Sequence, residues 1–191
     1  MRVLIVNTSE CVGGAAIAAS RLMQALKKNG VKAKMLVRDK QTDHLTVMPV
    51  GSSWMKPFKF LWERMCIFMA NGFKRKGLFL VDIANSGFDI VEHPEFQRAE
   101  VVHLHWINQG FLSLPTMERV LRSGKKVVVT MHDQWFFTGV CHYSGECEKY
   151  KTLCRDCDLM RGGVLGDLAQ RVFRQKLRIY SDARITFVGC S

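Results

Sequence analysis

The chain has 191 residues, of which 48% are hydrophobic, enough for one substantial core and little more than one domain. Its 28 Lys and Arg residues against 17 Asp and Glu residues give a formal charge of +11, which points to an anionic partner such as phosphate, nucleic acid or an acidic membrane face. With 15 Gly, 4 Pro and 12 Phe, the composition excludes collagen-like and disordered chains.

The sequence shows neither of the common apolar targeting segments. The apolar run at residues 3–6 is shorter than that of a signal peptide, and no run approaches the length of a transmembrane helix. We therefore expect a cytoplasmic protein. Thiols stay reduced there, so clustered cysteines favour a bound metal over disulfides.

The first predicted elements form a βαβ unit. A continuous aliphatic strand at residues 3–6 is followed by a glycine turn, a helix over residues 15–26 that ends before Gly30, and a strand over residues 31–38. A turn of this kind opens a helix whose free N–H groups attract an anion, so Gly13 and Gly14 are candidate phosphate-binding residues. A tight turn without a ligand explains the two glycines equally well.

Large apolar side chains recur with helical spacing over residues 54–76, accompanied by six basic residues and one acidic residue. Aromatic residues with flanking Lys and Arg are typical of a helix that lies in a membrane interface. A core helix packed on the sheet also produces such a stripe. The spaced side chains are Trp54, Phe58, Leu61, Trp62, Met65, Phe68 and Met69.

The remaining pattern repeats the alternation of strands and helices. Strands are predicted over residues 100–106, 125–131 and 184–188, helices over 115–122 and 165–180, and a cysteine-rich insertion over 139–160. The fold class is therefore α/β, a Rossmann-like doubly wound parallel sheet that forms one domain over residues 1–191. Such sheets bind ligands at the carboxyl ends of their strands.

Histidines mark two of these strand ends. His103 and His105 alternate along one strand and point to the same face, and Asn108 follows in the loop. His132 and Asp133 follow the next strand, where an imidazole beside a carboxylate can orient a hydroxyl or hold a phosphate. Two strand ends facing one glycine turn predict a convergent site, although histidine pairs in strands are often structural.

The insertion contains four cysteines in the spacing C-x5-C-x6-C-x2-C, namely Cys141, Cys147, Cys154 and Cys157. The last pair has the spacing of a zinc knuckle, and a structural zinc ion needs four such ligands. We expect zinc, with His142 as a substitute ligand and with disulfides or free thiols as the alternatives. The other three cysteines are isolated and are interpreted as ordinary thiols.

Three segments together resemble a known enzyme family: the first strand with Gly13 and Gly14, HLHWIN at 103–108, and HDxWxFTGxCHYSGxC at 132–147. They resemble the N-terminal domain of bacterial GT-B glycosyltransferases of retaining family 4, glycosyl transferase group 1. The resemblance covers essentially the whole chain. The cysteine-containing pattern is similar to that of a subgroup of these enzymes that makes surface or capsular polysaccharide.

The resemblance implies transfer of a sugar from a nucleotide-sugar donor to a polysaccharide or lipid-linked glycan acceptor, with retention. It places Gly13 and Gly14 beside the donor phosphates, His132 at the transferring sugar, and His105 and Asn108 on the acceptor side. If the acceptor is bound to a membrane, this would also explain residues 54–76 as a segment that makes peripheral contact with an anionic membrane.

In this family a second, C-terminal domain binds most of the nucleotide, and the sequence given ends near the boundary between the domains. We therefore expect that domain to be absent from this chain and the chain alone to be inactive. A non-enzymatic zinc-bearing interaction module, or an orphan acceptor-binding domain, is the alternative. No nucleic-acid partner is expected, because the basic residues are dispersed and no RRM, KH, helix-turn-helix or finger motif is present.

Overall fold

The computed structural model describes residues 1–75, 77–160 and 166–190. Its strands form one parallel sheet in the order β3-β2-β1-β4-β5-β6, the order of a Rossmann fold, so the predicted fold class is confirmed. The strands are β1 (Arg2–Ser9), β2 (Lys32–Asp39), β3 (Val47–Pro49), β4 (Val101–Leu104), β5 (Lys126–Met131) and β6 (Ile185–Gly189).

The α-helices of the described segments connect these strands. They are α1 (Gly14–Lys28), α2 (Met55–Ala70), α3 (Pro94–Arg98), α4 (Leu114–Leu121) and α5 (Leu168–Ser181). The insertion at 139–160 contains two short 3-10 helices, Lys149–Lys151 and Asp158–Met160. No described helix is long and apolar enough to cross a membrane.

Both faces of the sheet are covered by apolar side chains. Alternate residues of β1 serve opposite faces: Val3 and Ile5 belong to a cluster with Met23 of α1, whereas Leu4 and Val6 belong to the larger cluster that includes α2, α4 and α5. Burial on both sides explains why β1 reads as a continuous aliphatic run without polar alternation.

Two elements were not predicted, and the ends of others differ from their prediction. Strand β3 has three residues and ends in a proline, and α3 has five residues, so neither carries a periodic signal. Strand β4 ends at Leu104, which leaves His105 in the following loop. Helix α5 begins after Asp167, whose carboxylate accepts a hydrogen bond from Gln170 N at 2.9 Å; the predicted start at residue 165 lies outside the described residues.

Helix α2 does not bury the aromatic face that a core helix would pack on the sheet; a different face of the helix is buried. Its buried residues are Glu63, Arg64, Ile67 and Ala70. The aromatic stripe is exposed, with Trp54 71%, Phe58 61% and Leu61 61% accessible. The explanation of this stripe as a face packed on the sheet is therefore wrong. The basic end at Lys76 lies outside the described residues.

Candidate functional site

A cleft of about 740 Å³ opens at the carboxyl ends of β1, β2, β4 and β5. This is the edge where parallel α/β sheets bind ligands. The polar and glycine residues in its wall are Asn7, Thr8, Ser9, Gly13, Gly14, Arg38, Asp39, Gln41, Gln109, His132 and Asp133. The apolar and aromatic residues are Val12, Ala15, Trp106 and Tyr143.

The glycine turn forms one wall of the cleft at the start of α1. Gly13 has a φ of 91°, a backbone conformation that residues with a side chain rarely adopt. A Cβ built on Gly13 or Gly14 meets no atom within 4 Å. No side chain caps this helix, and no acidic residue lies in its first turn. The turn therefore leaves free N–H groups and open space for an anion.

Arg38 is a cleft residue that the sequence interpretation missed. Its guanidinium donates to the Asp39 carboxylate, with Nη2 to Oδ2 at 2.6 Å, and to the carbonyl of Gln109. The Arg38 side chain is only 12% exposed. Because Arg38 lies at the carboxyl end of β2, the same rule that selected the histidines could have identified it.

Three histidines lie side by side along the ends of β4 and β5. His103 and His105 have ring centroids 4.5 Å apart, and His105 Nδ1 lies 2.9 Å from His132 Nε2. Burial lowers the pKa of His103 to about 4 and that of His105 to about 3, with repulsion between the rings adding to the effect. Burial also lowers the pKa of His132. The stack is therefore neutral at pH 7.

Of these three, only His132 lines the cleft. The Thr130 hydroxyl is 2.8 Å from His103 Nε2, and the other ring nitrogen of His132, Nδ1, lies 3.8 Å from Cys190 Sγ. The predicted residues His105 and Asn108 are 2% and 3% exposed and lie behind the cleft wall. His105 touches His132, so it supports the cleft residue from behind.

Asp133 lies in the cleft wall with its carboxylate already bonded to the protein. Its Oδ2 accepts from the indole of Trp106 at 2.9 Å and contacts His142 Nδ1 at 2.7 Å, and its Oδ1 accepts from Trp135 N at 2.9 Å. Burial opposes the charge, yet the hydrogen bonds from His142 and its neighbours hold the pKa of Asp133 below its usual value. Asp133 therefore fixes the Trp106 ring in the cleft.

His142 is a buried cation beneath the site. Its Nε2 lies 2.6 Å from Asp82 Oδ2, and its Nδ1 contacts Asp133. Burial would lower the pKa of His142, but the two carboxylates outweigh it and raise the pKa to about 9. His142 is charged at pH 7 and occupied by these contacts, so it is not a free metal ligand.

The same network reaches helix α2. Arg64 donates to Asp82 and, at 3.0 Å, to the carbonyl of Val81. Glu63 is fully buried and accepts from Ala84 N at 2.6 Å. Burial and the nearby Asp82 raise the pKa of Glu63 to about 7. A chain of buried polar contacts therefore runs from α2 through Asp82 to the cleft wall.

The four cysteines of the insertion are partly buried free thiols. Across the described ranges, no group of three or more His, Cys, Asp or Glu side chains is arranged to hold a metal ion. The zinc site expected from the spacing is therefore not formed by the side chains as they stand, and the four cysteines remain a separate cluster outside the cleft.

Known proteins give a limited match. No family profile matches the chain. Over 98 residues, 47% of its length, the chain is 33% identical to a protein of Escherichia coli (strain K12) that is provisionally named a colanic acid biosynthesis glycosyl transferase, WcaC. The chain spans 24% of that relative's length.

Among solved structures, MoeE5 in complex with UDP-glucuronic acid and NAD aligns with 99% of this chain and 53% of its own. The sequence identity is 13% and the TM-score is 0.32, so this likeness carries no functional inference. The chain thus combines a Rossmann-like sheet with local sequence homology to a protein named as a glycosyl transferase.

Proposed function

We propose that this chain is the acceptor-side, N-terminal half of a retaining GT-B glycosyltransferase that transfers a sugar from a nucleotide-sugar. The observation that carries the proposal is the cleft at the carboxyl ends of the strands, where the uncapped turn of α1, Arg38 and a neutral His132 face one space. The 33% identity to the named glycosyl transferase supports the same activity.

The donor's diphosphate would lie at the Gly13-Gly14 turn. The first-turn N–H groups of α1 donate to phosphate oxygens, and the helix dipole favours their charge. Arg38 adds a cation, part of whose charge is balanced by Asp39. These groups would stabilise the leaving nucleoside diphosphate as negative charge develops on it in the transition state.

His132 would face the sugar that is transferred. Cleavage of the sugar–phosphate bond builds positive charge on the anomeric carbon, and a neutral imidazole can accept a hydrogen bond from a nearby sugar hydroxyl without repelling that charge. His105 behind it holds the ring at a fixed angle through the 2.9 Å contact. The Trp106 ring, tied to Asp133, offers a flat face on which a sugar can pack.

The acceptor in this proposal is a polysaccharide or a lipid-linked glycan of the cell surface. A second domain binds most of the nucleotide and closes the cleft, and the chain by itself does not turn over. The 24% coverage of the matched relative is consistent with a longer complete protein.

Sugar transfer by the complete protein that contains this chain tests the proposal. Radiolabelled nucleotide-sugars are incubated with lipid-linked glycans extracted from the source membranes, and labelled glycan is counted. Changing His132→Ala should lower kcat by about 100-fold or more, and the anomeric configuration of the product should match that of the donor. Transfer that His132→Ala leaves unchanged would rule out the assigned role.

The matched control for this experiment is His44→Ala. His44 is an exposed histidine outside the cleft wall, so its variant should retain the activity of the unmodified protein. A similar loss in both variants would show that the effect of His132→Ala is not specific to the cleft.

Helix α2 supports the finer proposal that the protein works at the cytoplasmic face of a membrane. Its outward side carries Trp54, Phe58 and Leu61, and exposed Lys74 and Arg75 follow its C-terminal end. Because Glu63 and Arg64 pair inside the protein, the charge that this region presents outward is basic. Exposed aromatics beside basic residues fit an anionic lipid surface, where a lipid-linked acceptor would be found.

A further inference from the structure

A strained turn lies in the cleft wall a few residues after β4. Gln109 has a φ of 60° and Gly110 a φ of 75°, so both residues are in the left-handed region. Glycine adopts this conformation freely, whereas glutamine does so rarely and at a cost in free energy. Residues held in this way are concentrated at binding and active sites. Since Gln109 also lines the cleft, the strained backbone lies at the candidate site itself.

Contacts from three sides hold this turn in place. The main-chain N–H of Gln109 donates to Asp82 Oδ1 at 3.3 Å, and its carbonyl accepts from the Arg38 guanidinium. On the third side, helix α2 packs so closely that a Cβ on Gly110 would lie 2.8 Å from Phe60 N. Only glycine permits this approach, so the protein itself fixes the backbone at Gln109.

The side chain of Gln109 takes no part in these contacts. Within the described ranges, both hydrogen bonds of Gln109 are made by its main chain. The residue is half-buried, and a carboxamide offers two N–H donors and an oxygen that accepts. Polar groups that are partly withdrawn from water are usually paired. The turn therefore leaves the polar end of this side chain for a ligand.

The loop that carries Gln109 crosses the carboxyl end of β1. In β1, the Thr8 N–H donates to the carbonyl of Trp106 at 2.7 Å, and the Thr8 hydroxyl lies 3.1 Å from the carbonyl oxygen of Asn108. The glycine turn proposed for the diphosphate begins beyond the end of this same strand. Arg38, the cation proposed for the diphosphate, is bonded to Gln109. Gln109 therefore lies on the phosphate side of the cleft, where a sugar joined to that phosphate would follow.

A neutral carboxamide suits a sugar hydroxyl better than a phosphate. A hydroxyl both donates and accepts, and the carboxamide of Gln109 offers both functions. It carries no charge, whereas the strong hydrogen bonds to a diphosphate come from charged groups such as Arg38. A site that offers hydrogen bonds to a hydroxyl also rejects a ligand that lacks this group. The chemistry of the side chain thus points to recognition of a sugar ring.

We propose that the Gln109 carboxamide hydrogen-bonds to hydroxyl groups on the sugar of a nucleotide-sugar and so discriminates among sugars. This assignment rests on the proposed function of the cleft and extends it, because it names the residue that recognises the sugar. The bonds from Asp82 and Arg38 fix the backbone, and the fixed backbone aims the carboxamide. Little conformational freedom of the turn is then lost when the sugar binds.

Pairs of ligands that differ only by the sugar test this proposal. The complete protein that contains this chain is titrated by calorimetry with UDP-glucose and UDP, with GDP-mannose and GDP, and with ADP-glucose and ADP. Gln109→Ala should weaken the binding of a nucleotide-sugar by about 3- to 10-fold, the effect of one hydrogen bond or two. The affinity for the matching nucleoside diphosphate should stay unchanged.

A second variant separates the carboxamide from the shape of the turn. Gln109→Gly removes the same carboxamide but suits a positive φ, so the turn is retained without strain. It should reproduce the selective loss expected for Gln109→Ala. The matched control is Gln24→Ala, which changes an exposed glutamine of α1 outside the cleft wall and should leave both affinities unchanged.

The possible results separate this proposal from the proposed function. Equal weakening of nucleotide-sugar and nucleoside diphosphate would show that Gln109 only holds Arg38 in place, and unchanged affinities would show that its side chain meets no sugar. Either result, or binding of a nucleoside diphosphate without any of the three nucleotide-sugars, overturns the role of Gln109 and leaves phosphate binding in the cleft standing. An unmodified protein that binds none of these ligands would contradict the proposed function and this role together.

Discussion

The cleft wall and the outer face of α2 are built in opposite ways. Behind the cleft, Asp82 and His142 are buried, and hydrogen bonds of 2.6 and 2.7 Å join His142 to Asp82 and to Asp133 in the cleft wall. On α2, the polar residues Glu63 and Arg64 face inward to this network, while aromatic side chains face solvent. The helix therefore buries an ion pair beside Ile67 and Ala70 and exposes aromatic side chains, whereas an ordinary surface helix exposes its charged residues and buries its aromatic ones.

The largest effect on stability is expected when the Asp82 carboxylate is removed from the buried network. Asp82→Ala leaves buried Arg64 with Glu63 alone and buried His142 with Asp133 alone, and truncating one member of a buried charged group costs about 3–5 kcal/mol. Urea unfolding should show a loss of this size.

Arg119→Ala is the control for Asp82→Ala, because Arg119 pairs with Glu92 at the surface, where both partners are largely exposed. Its expected cost is about 0–1 kcal/mol. Equal losses in the two variants would mean that the buried network contributes no more than a surface pair.

The pH dependence of His142 probes the same region with a smaller effect. Its pKa is about 9 in the folded chain and 6.5 as the reference value. The folded state therefore holds this proton more tightly, so its stabilisation is fully present below pH 6.5 and is lost as the pH rises through 9. NMR titration of the His142 ring protons should show a midpoint near pH 9, whereas a midpoint at or below 6.5 would contradict the two-carboxylate contact.

The smallest effect on stability is expected on the outer face of α2. Replacing both Phe58 and Leu61 by Ser removes side chains that are each 61% exposed, so the free energy of unfolding should change by about 0.5 kcal/mol or less. The same double variant should lose sedimentation with vesicles that contain anionic lipid.

Leu45→Ser serves as the control for the vesicle experiment, since Leu45 is 92% exposed and lies outside α2. This variant should sediment like the unmodified protein, and neither should sediment with purely zwitterionic vesicles. Equal sedimentation of the double variant and the control would disprove the membrane proposal.

Local patterns were sufficient to predict five of the six strands and the edge of the sheet at which the cleft lies. The aliphatic run of β1 and the glycines after it depend on neighbouring residues only, so the sequence displays them directly. The prediction for His132 combined a local strand with the general rule for strand ends, and the structure places this residue in the cleft wall.

The orientation of α2 could not be predicted in this way. Helical spacing identifies a stripe but not the side on which the rest of the chain packs. The deciding partners of Glu63 and Arg64 are the backbone at Ala84 and the carboxylate of Asp82, which are 21 and 18 residues away. Likewise, no local signal links His142 to Asp82, which is 60 residues away.

Binding of nucleotide-sugars to the cleft tests the central claim most directly. The complete protein that contains this chain, labelled with ¹⁵N, is titrated with UDP-, GDP- and ADP-sugars while the amide resonances of Gly13 and Gly14 and the indole resonance of Trp106 are followed. The account predicts saturable shifts at these three groups for at least one donor, and smaller shifts for the free sugar. Resonances that stay unchanged with every donor, or that shift only outside the cleft, would contradict it.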